Sequence, residues 1–400
     1  MSRSRQVAHS TQGAVISASD GLAALVAVLA EDHAVIGPTV RDGAIVLARI
    51  SCADQLPHHC GVELAAGRYR LVRRTDGMVF AHSAGPQSWK AYLHPQRERL
   101  WTVDRDPQGN LAFREEDGED GEPPAYAFLG VRPCDLRAIA IQDRVLGGGP
   151  HAGTAYRRRR DRTFVVAVEC TDPGATCFCT SMGTGPGVGE RADGAPGYDL
   201  ALTEVRDEDG HRFLVRCGGP AGERVLARLP HRTEDASTRA AARAAVTAAA
   251  QHMDKAMPPV DLHALMAGSL DAARWDDVAA RCLTCGNCTM VCPTCFCTTT
   301  EDTTDLTGDH AERWQRWDSC FDLDFSHLHG GPVRASARSR YRQWLTHKLG
   351  TWHDQFGESG CVGCGRCIVW CPAGIDITEE AAALHAEATG SPATEEEAPS

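Results

Sequence analysis

Cys282, Cys285, Cys288 and Cys292 follow the spacing C-x2-C-x2-C-x3-C with Pro293 next, and Cys361, Cys364, Cys367 and Cys371 repeat it before Pro372. This is the thiolate spacing of bacterial ferredoxins that carry two [4Fe–4S] clusters. Three cysteines of a tight loop hold three corners of one cubane. The fourth crosses to the other, because the proline redirects the chain. The expected ligand sets are therefore Cys282, Cys285, Cys288 and Cys371 for one cluster, and Cys361, Cys364, Cys367 and Cys292 for the other. Gly286, Gly363 and Gly365 permit turns that aim backbone N–H groups at sulfur, while Met290, Val291, Ile368, Val369 and Trp370 can exclude water. The competing chemistry is a pair of zinc ribbons. Zinc takes four ligands per site and gives no reason for a third cysteine and a trailing C-P, twice over.

A second group, Cys170, Cys177 and Cys179, follows the apolar run Phe164–Val168 and precedes Gly183, Gly185, Gly187 and Gly189. It is a candidate third metal or cluster site, with Cys134 or Cys217 as the fourth thiol; the alternative is buried structural thiols. The glycines match neither G-x-G-x-x-G nor a Walker pattern, so a turn-rich loop is expected. The basic tract Arg157–Arg160 with Arg162 reads as an exposed loop, and His58-His59-Cys60 finds no partner motif. No catalytic residue is assigned, since no nucleophile and base combine into a hydrolase site.

The elements that must position these cysteines predict an α+β chain. An N-terminal mixed α/β region leads through a helical linker to a C-terminal α-helical dicluster ferredoxin-like domain with a long insert. The expected divisions are a flexible N-terminus over 1–19, a mixed α/β domain over 20–230, a linker over 231–278, the dicluster domain over 279–382 with its insert at 298–357, and a disordered acidic tail over 383–400. Residues 20–31 have helical composition. Residues 44–50, 69–72, 78–81, 164–168 and 213–215 read as strands. Residues 109–124 read as an acidic loop, the alanine-rich stretch within 233–257 as a helix, and the basic segment 334–348 as another.

Eighteen cysteines in 400 residues, with eleven of them between Cys282 and Cys371, point to metal or redox chemistry rather than disulfides if the protein is cytoplasmic. A net charge of -12 argues against nucleic acid as a partner. No stretch has the apolar length of a membrane span or of a secretory signal, so a cytoplasmic location is expected.

Several segments together resemble one family: Gly130-Val-Arg-Pro-Cys-Asp-Leu-Arg-Ala-Ile139, Glu169-Cys-Thr-Asp-Pro with Cys177 through Pro186, Cys282 through Cys297, Trp317-Asp-Ser-Cys320, and the Cys361 motif. Over residues 20–382 the chain is similar to the beta subunit of cytoplasmic [NiFe] sulfhydrogenases and to the iron–sulfur relay component of anaerobic sulfite reductase. The resemblance implies an iron–sulfur electron-transfer protein with two [4Fe–4S] clusters and no substrate chemistry of its own. It would relay electrons between the small and large subunits of a [NiFe] hydrogenase and a flavin- and NAD(P)-binding reductase subunit. In the alternative the acceptor is a sirohaem sulfite reductase subunit. A different class of reading is a zinc-stabilised interaction module without redox activity.

Overall fold

The computed structural model describes residues 13–115, 123–150, 152–189 and 197–390. In chain order its principal strands are β1 (Ala14–Ser17), β2 (Ala34–Arg41), β3 (Ala44–Arg49), β4 (Cys60–Ala65), β5 (Arg68–Arg73), β6 (Arg97–Arg105), β7 (Leu111–Glu115), β8 (Tyr126–Val131), β9 (Phe164–Val168), β10 (Leu200–Asp207), β11 (Gly210–Cys217), β12 (Arg232–Thr233), β13 (Thr298–Thr304) and β14 (His310–Trp317). Among the described residues the largest sheet has the order β12-β1-β11-β10-β9-β8-β2-β3. Its centre, β2, β8, β9 and β10, is parallel, and antiparallel pairs close both sides.

The central strands are continuous apolar runs because both faces are covered. Every residue of β9 (FVVAV) is buried. Leu22, Leu25 and Leu29 of the helix Asp20–Ala30 pack with Leu129, Val166 and Val168 on one face. The alternate residues Phe128 and Val165, with Val131 beyond the strand irregularity after Leu129, pack with Ile139 of the helix Pro133–Gly147 on the other. Pro133 at the first turn of that helix and the extended Arg132 before it set an abrupt strand-to-helix turn at the carboxyl end of β8.

The insert between the two ferredoxin motifs does not fold by itself. Its hairpin β13–β14 pairs through β14 with β6, giving the sheet β13-β14-β6-β7. The chain then returns as the helix Ala337–Thr346, capped by the Ser336 hydroxyl accepting from Ser339 N–H (3.1 Å). Tyr341, Trp344, Leu345 and Leu349 join Trp275, Ile368, Ile377 and Leu384 in a second core. Phe178, from the loop after β9, is buried in that same core and ties the α/β region to the cysteine-rich one.

Several expectations need correction. Residues 78–81 form no strand; Val79 and Phe80 N–H groups donate instead to the buried Glu204 carboxylate (2.7 and 2.8 Å), which replaces a ladder partner. The span expected to be flexible at the N-terminus contains β1, an interior strand of the main sheet. Arg157–Arg160 lie on the helix Thr154–Asp161, where Arg159 pairs with Glu98 and Arg160 with Asp143 (3.1 Å). Part of the expected acidic loop is β7; residues 116–122 lie outside the described residues. The helix Ile377–Thr389 continues beyond the expected tail boundary at 383, and residues 391–400 lie outside the described residues. Among the described residues no helix is long and apolar enough to cross a membrane.

Candidate metal centres

The two cysteine motifs are copies in backbone as well as in sequence. Gly286 (φ 75°, ψ -2°) and Gly365 (φ 72°, ψ -6°) both adopt the left-handed conformation and both start a four-residue helix, Asn287–Met290 and Arg366–Val369. Each turn places the third cysteine on the first helical turn. The N–H groups of Thr284, Gly363 and Ile375 donate to Cys282, Cys361 and Cys371 sulfurs, each at 3.4 Å. Backbone N–H donors aimed at sulfur favour a bound anionic thiolate.

Cys282, Cys285 and Cys288 of the first motif and Cys371 of the second line one cavity. Its walls are apolar: Phe321, Tyr341, Trp344, Ile375 and Ile377, with Cys367 also reaching it. Cys285 is exposed, as is Leu283 beside it, so this cavity lies close to the surface. The other four thiols are deeper. Cys361, Cys364 and Cys367 all lie within electrostatic reach of Cys292. Burial pushes the Cys361 thiol up to about 12 and the Cys367 thiol well above its ordinary value. Sulfurs so deeply buried hold charge at neutral pH only when a cation takes the place of the proton. Burial of this kind at Cys361 and Cys367 fits thiolates bound to a metal or cluster.

The buried Lys348 stands next to the deeper group. Its Nζ donates to Cys292 Sγ (3.4 Å), Thr294 Oγ1 (3.0 Å) and Gly360 O (3.2 Å). Burial alone would lower its pKa, but the sulfurs of Cys292, Cys295 and Cys361 outweigh this and hold it well above the ordinary value. Nothing in the sequence singles out Lys348, and Cys295, Cys297 and Cys320 enter there within the segments that carry the family resemblance, without a ligand role. The structure places Cys295 against Cys292 and Cys297 against Cys320, with buried Lys90 donating to Cys295 O (2.9 Å). The continuing spacing in CPTCFC was the available signal.

The second cysteine group is drawn to the same place. Cys170 stands at the end of β9, and Cys177 and Cys179 lie on the loop that follows, all three buried. Cys134 lines the same cavity, whereas Cys217 ends β11 and packs on the core of the main sheet. This loop is pressed onto the second motif. Phe178 N–H donates to Gly363 O (2.9 Å) and Thr184 Oγ1 to Val362 O (2.6 Å). A Cβ added at Gly363 (φ 65°) would lie 2.6 Å from Cys179 backbone. His58 and His59 are not part of either cavity.

A family of 4Fe-4S dicluster domains matches residues 281–375. Among curated proteins, sulfhydrogenase 2 subunit beta of Pyrococcus furiosus is 31% identical over 257 residues, which cover 63% of this chain and 71% of that protein.

Proposed function

Because the chain belongs to the family of sulfhydrogenase beta subunits, we propose that it is the iron–sulfur electron-transfer subunit of a multi-subunit hydrogenase. In this reading it links a flavin- and NAD(P)-binding reductase subunit to a [NiFe] unit, in the cytoplasm. Two [4Fe–4S] clusters, when bound, supply one-electron oxidation and reduction without bond making. The residues that would hold them are Cys282, Cys285, Cys288 and Cys371 for the first, and Cys361, Cys364, Cys367 and Cys292 for the second. What carries this reading is the single cavity that three first-motif cysteines share with Cys371 of the second motif. A pair of independent zinc ribbons would keep each motif's cysteines to itself.

The protein residues around these thiols have distinct roles. Phe321, Tyr341 and Trp344 exclude water from the first centre, and Lys348 offsets negative charge at the second. The exposed edge at Leu283 and Cys285 makes the first centre the contact point for a redox partner.

Cys371→Ser tests the crossed ligation. EPR of the reduced, anaerobically purified chain is expected to show the first-motif cluster perturbed and the second intact. A change confined to the cluster of Cys361 contradicts the assignment. The partner is read by anaerobic co-purification: nickel in the complex supports the hydrogenase reading, sirohaem absorption replaces it with sulfite reductase, and a complex with neither contradicts both.

A further inference from the structure

The cavity around the second cysteine group is lined by four thiols outside the ferredoxin motifs, alongside Cys364 of the second motif. We propose that Cys134, Cys170, Cys177 and Cys179 hold a third [4Fe–4S] cluster, placed beside the second centre at the carboxyl edge of the main sheet. Its role in a relay rests on the function proposed above; its existence does not.

The placement follows from the sheet topology. β8 and β9 are adjacent and parallel, and ligands of open α/β sheets bind outside the carboxyl ends of parallel strands. Cys134 follows β8 through the Arg132-Pro133 turn, and Cys170 follows β9 after Glu169. Two elements far apart in sequence thus deliver thiols to one edge. The loop after Cys170 then folds back and adds Cys177 and Cys179.

The four thiols line one cavity, as the thiols of the first ferredoxin motif line theirs. Cys179 lies within electrostatic reach of Cys134, Cys170 and Cys177. Among the described residues no three thiol, imidazole or carboxylate groups converge closely enough for one ion. That holds equally for the ferredoxin motifs, whose thiols stand around a cubane rather than on a single atom. All-thiolate donors select zinc, copper(I) or iron–sulfur, and a thiol set that does not converge on one ion, as in the ferredoxin motifs, favours the cluster. Buried Arg132 also lines the cavity and supplies positive charge. His82 Nε2, buried and without a hydrogen-bond partner, is a polar atom that the proposed cluster would give a neighbour.

The second centre is in contact. Cys364 lines this cavity too, and Cys177 Sγ lies 4.0 Å from Cys364 O. Arg366, next to Cys367, grips the Asp135 carboxylate with two hydrogen bonds (2.8 and 3.0 Å), and Asp135 adjoins Cys134. The pair fixes the first turn of the helix Pro133–Gly147 against the second motif. Three centres would then form a row from the exposed first centre through the second into the α/β region.

Iron, acid-labile sulfide and zinc are counted on the full chain expressed and purified anaerobically. The wild type is expected to hold about twelve iron and twelve sulfide, since each cubane carries four of each. Cys134→Ser and Cys177→Ser are expected each to lower both counts by about one third, while Cys217→Ser leaves them unchanged. A wild type with about eight iron and no zinc overturns the third site but keeps the two-cluster reading. One zinc per chain lost in Cys134→Ser overturns the cluster assignment in favour of a zinc site. A wild type without the iron of the ferredoxin motifs counts against the proposed function instead. The wild-type count needs no variant to fold.

Discussion

Replacing Lys348 by methionine should lower the reduction potential of the second centre. Lys348 is 3% exposed, and its ammonium lies 3.4 Å from Cys292 Sγ. A positive charge at this distance stabilises the state with one more electron. A hydrogen bond from a charged group contributes about 1.5–3 kcal/mol. For a one-electron couple 59 mV corresponds to about 1.4 kcal/mol, so the expected shift is roughly 60–130 mV downward. Methionine keeps the apolar stem, and Gly360 O retains its hydrogen bond from Thr294 Oγ1 (2.7 Å), so the carbonyl is not orphaned. Lys348→Arg, which keeps the charge, should move the potential much less. The assay is a potentiometric titration followed by EPR on the anaerobic protein. The first centre serves as an internal reference, because the charged group acting on Cys282 is Arg340 rather than Lys348. An unchanged or raised potential of the second centre in Lys348→Met refutes the reasoning.

Three further outcomes are expected. Asp135→Ala leaves the Arg366 guanidinium buried without its carboxylate; unfolding experiments should show a loss of about 3–5 kcal/mol, where a mild effect would show that the pair is not desolvated. Gly363→Ala forces a left-handed alanine whose Cβ meets Cys179 backbone; the strain alone costs roughly 1–3 kcal/mol, and the second centre should be lost before the first when the protein is titrated with an iron chelator. Burial, with Lys90 and Arg159 nearby, lowers the His94 pKa from 6.5 to about 4. Below pH 6.5 the unfolded chain therefore binds a proton that the folded chain refuses, and stability falls as pH falls towards about 4. Between pH 7 and 5 this amounts to about 2 kcal/mol, which His94→Phe should abolish in denaturant titrations at the two pH values.

The cysteine motifs were legible because cluster ligation dictates local spacing: the turn at Gly286 and the turn at Gly365 follow from residues within one motif. The strand Phe164–Val168 and the helix from Asp20 were legible for a similar reason, since their patterns are local. Long-range pairing was not. Nothing near residues 310–317 tells that they add to a strand at 97–105, and residues 78–81 look like a strand until Glu204 takes their N–H groups. The choice between Cys134 and Cys217 depends on which strands lie side by side, so only the sheet order makes it. Lys348 looked like one more charge on a basic helix. Its burial comes from packing of the insert against the second motif, which the sequence of the helix does not display.

The pair of clusters is tested most directly by iron and sulfide analysis of the anaerobic full chain, read together with EPR of the reduced state. At least about eight iron and eight sulfide per chain, with two interacting paramagnetic centres, is the expected result. Zinc in place of iron, with no acid-labile sulfide, would contradict it.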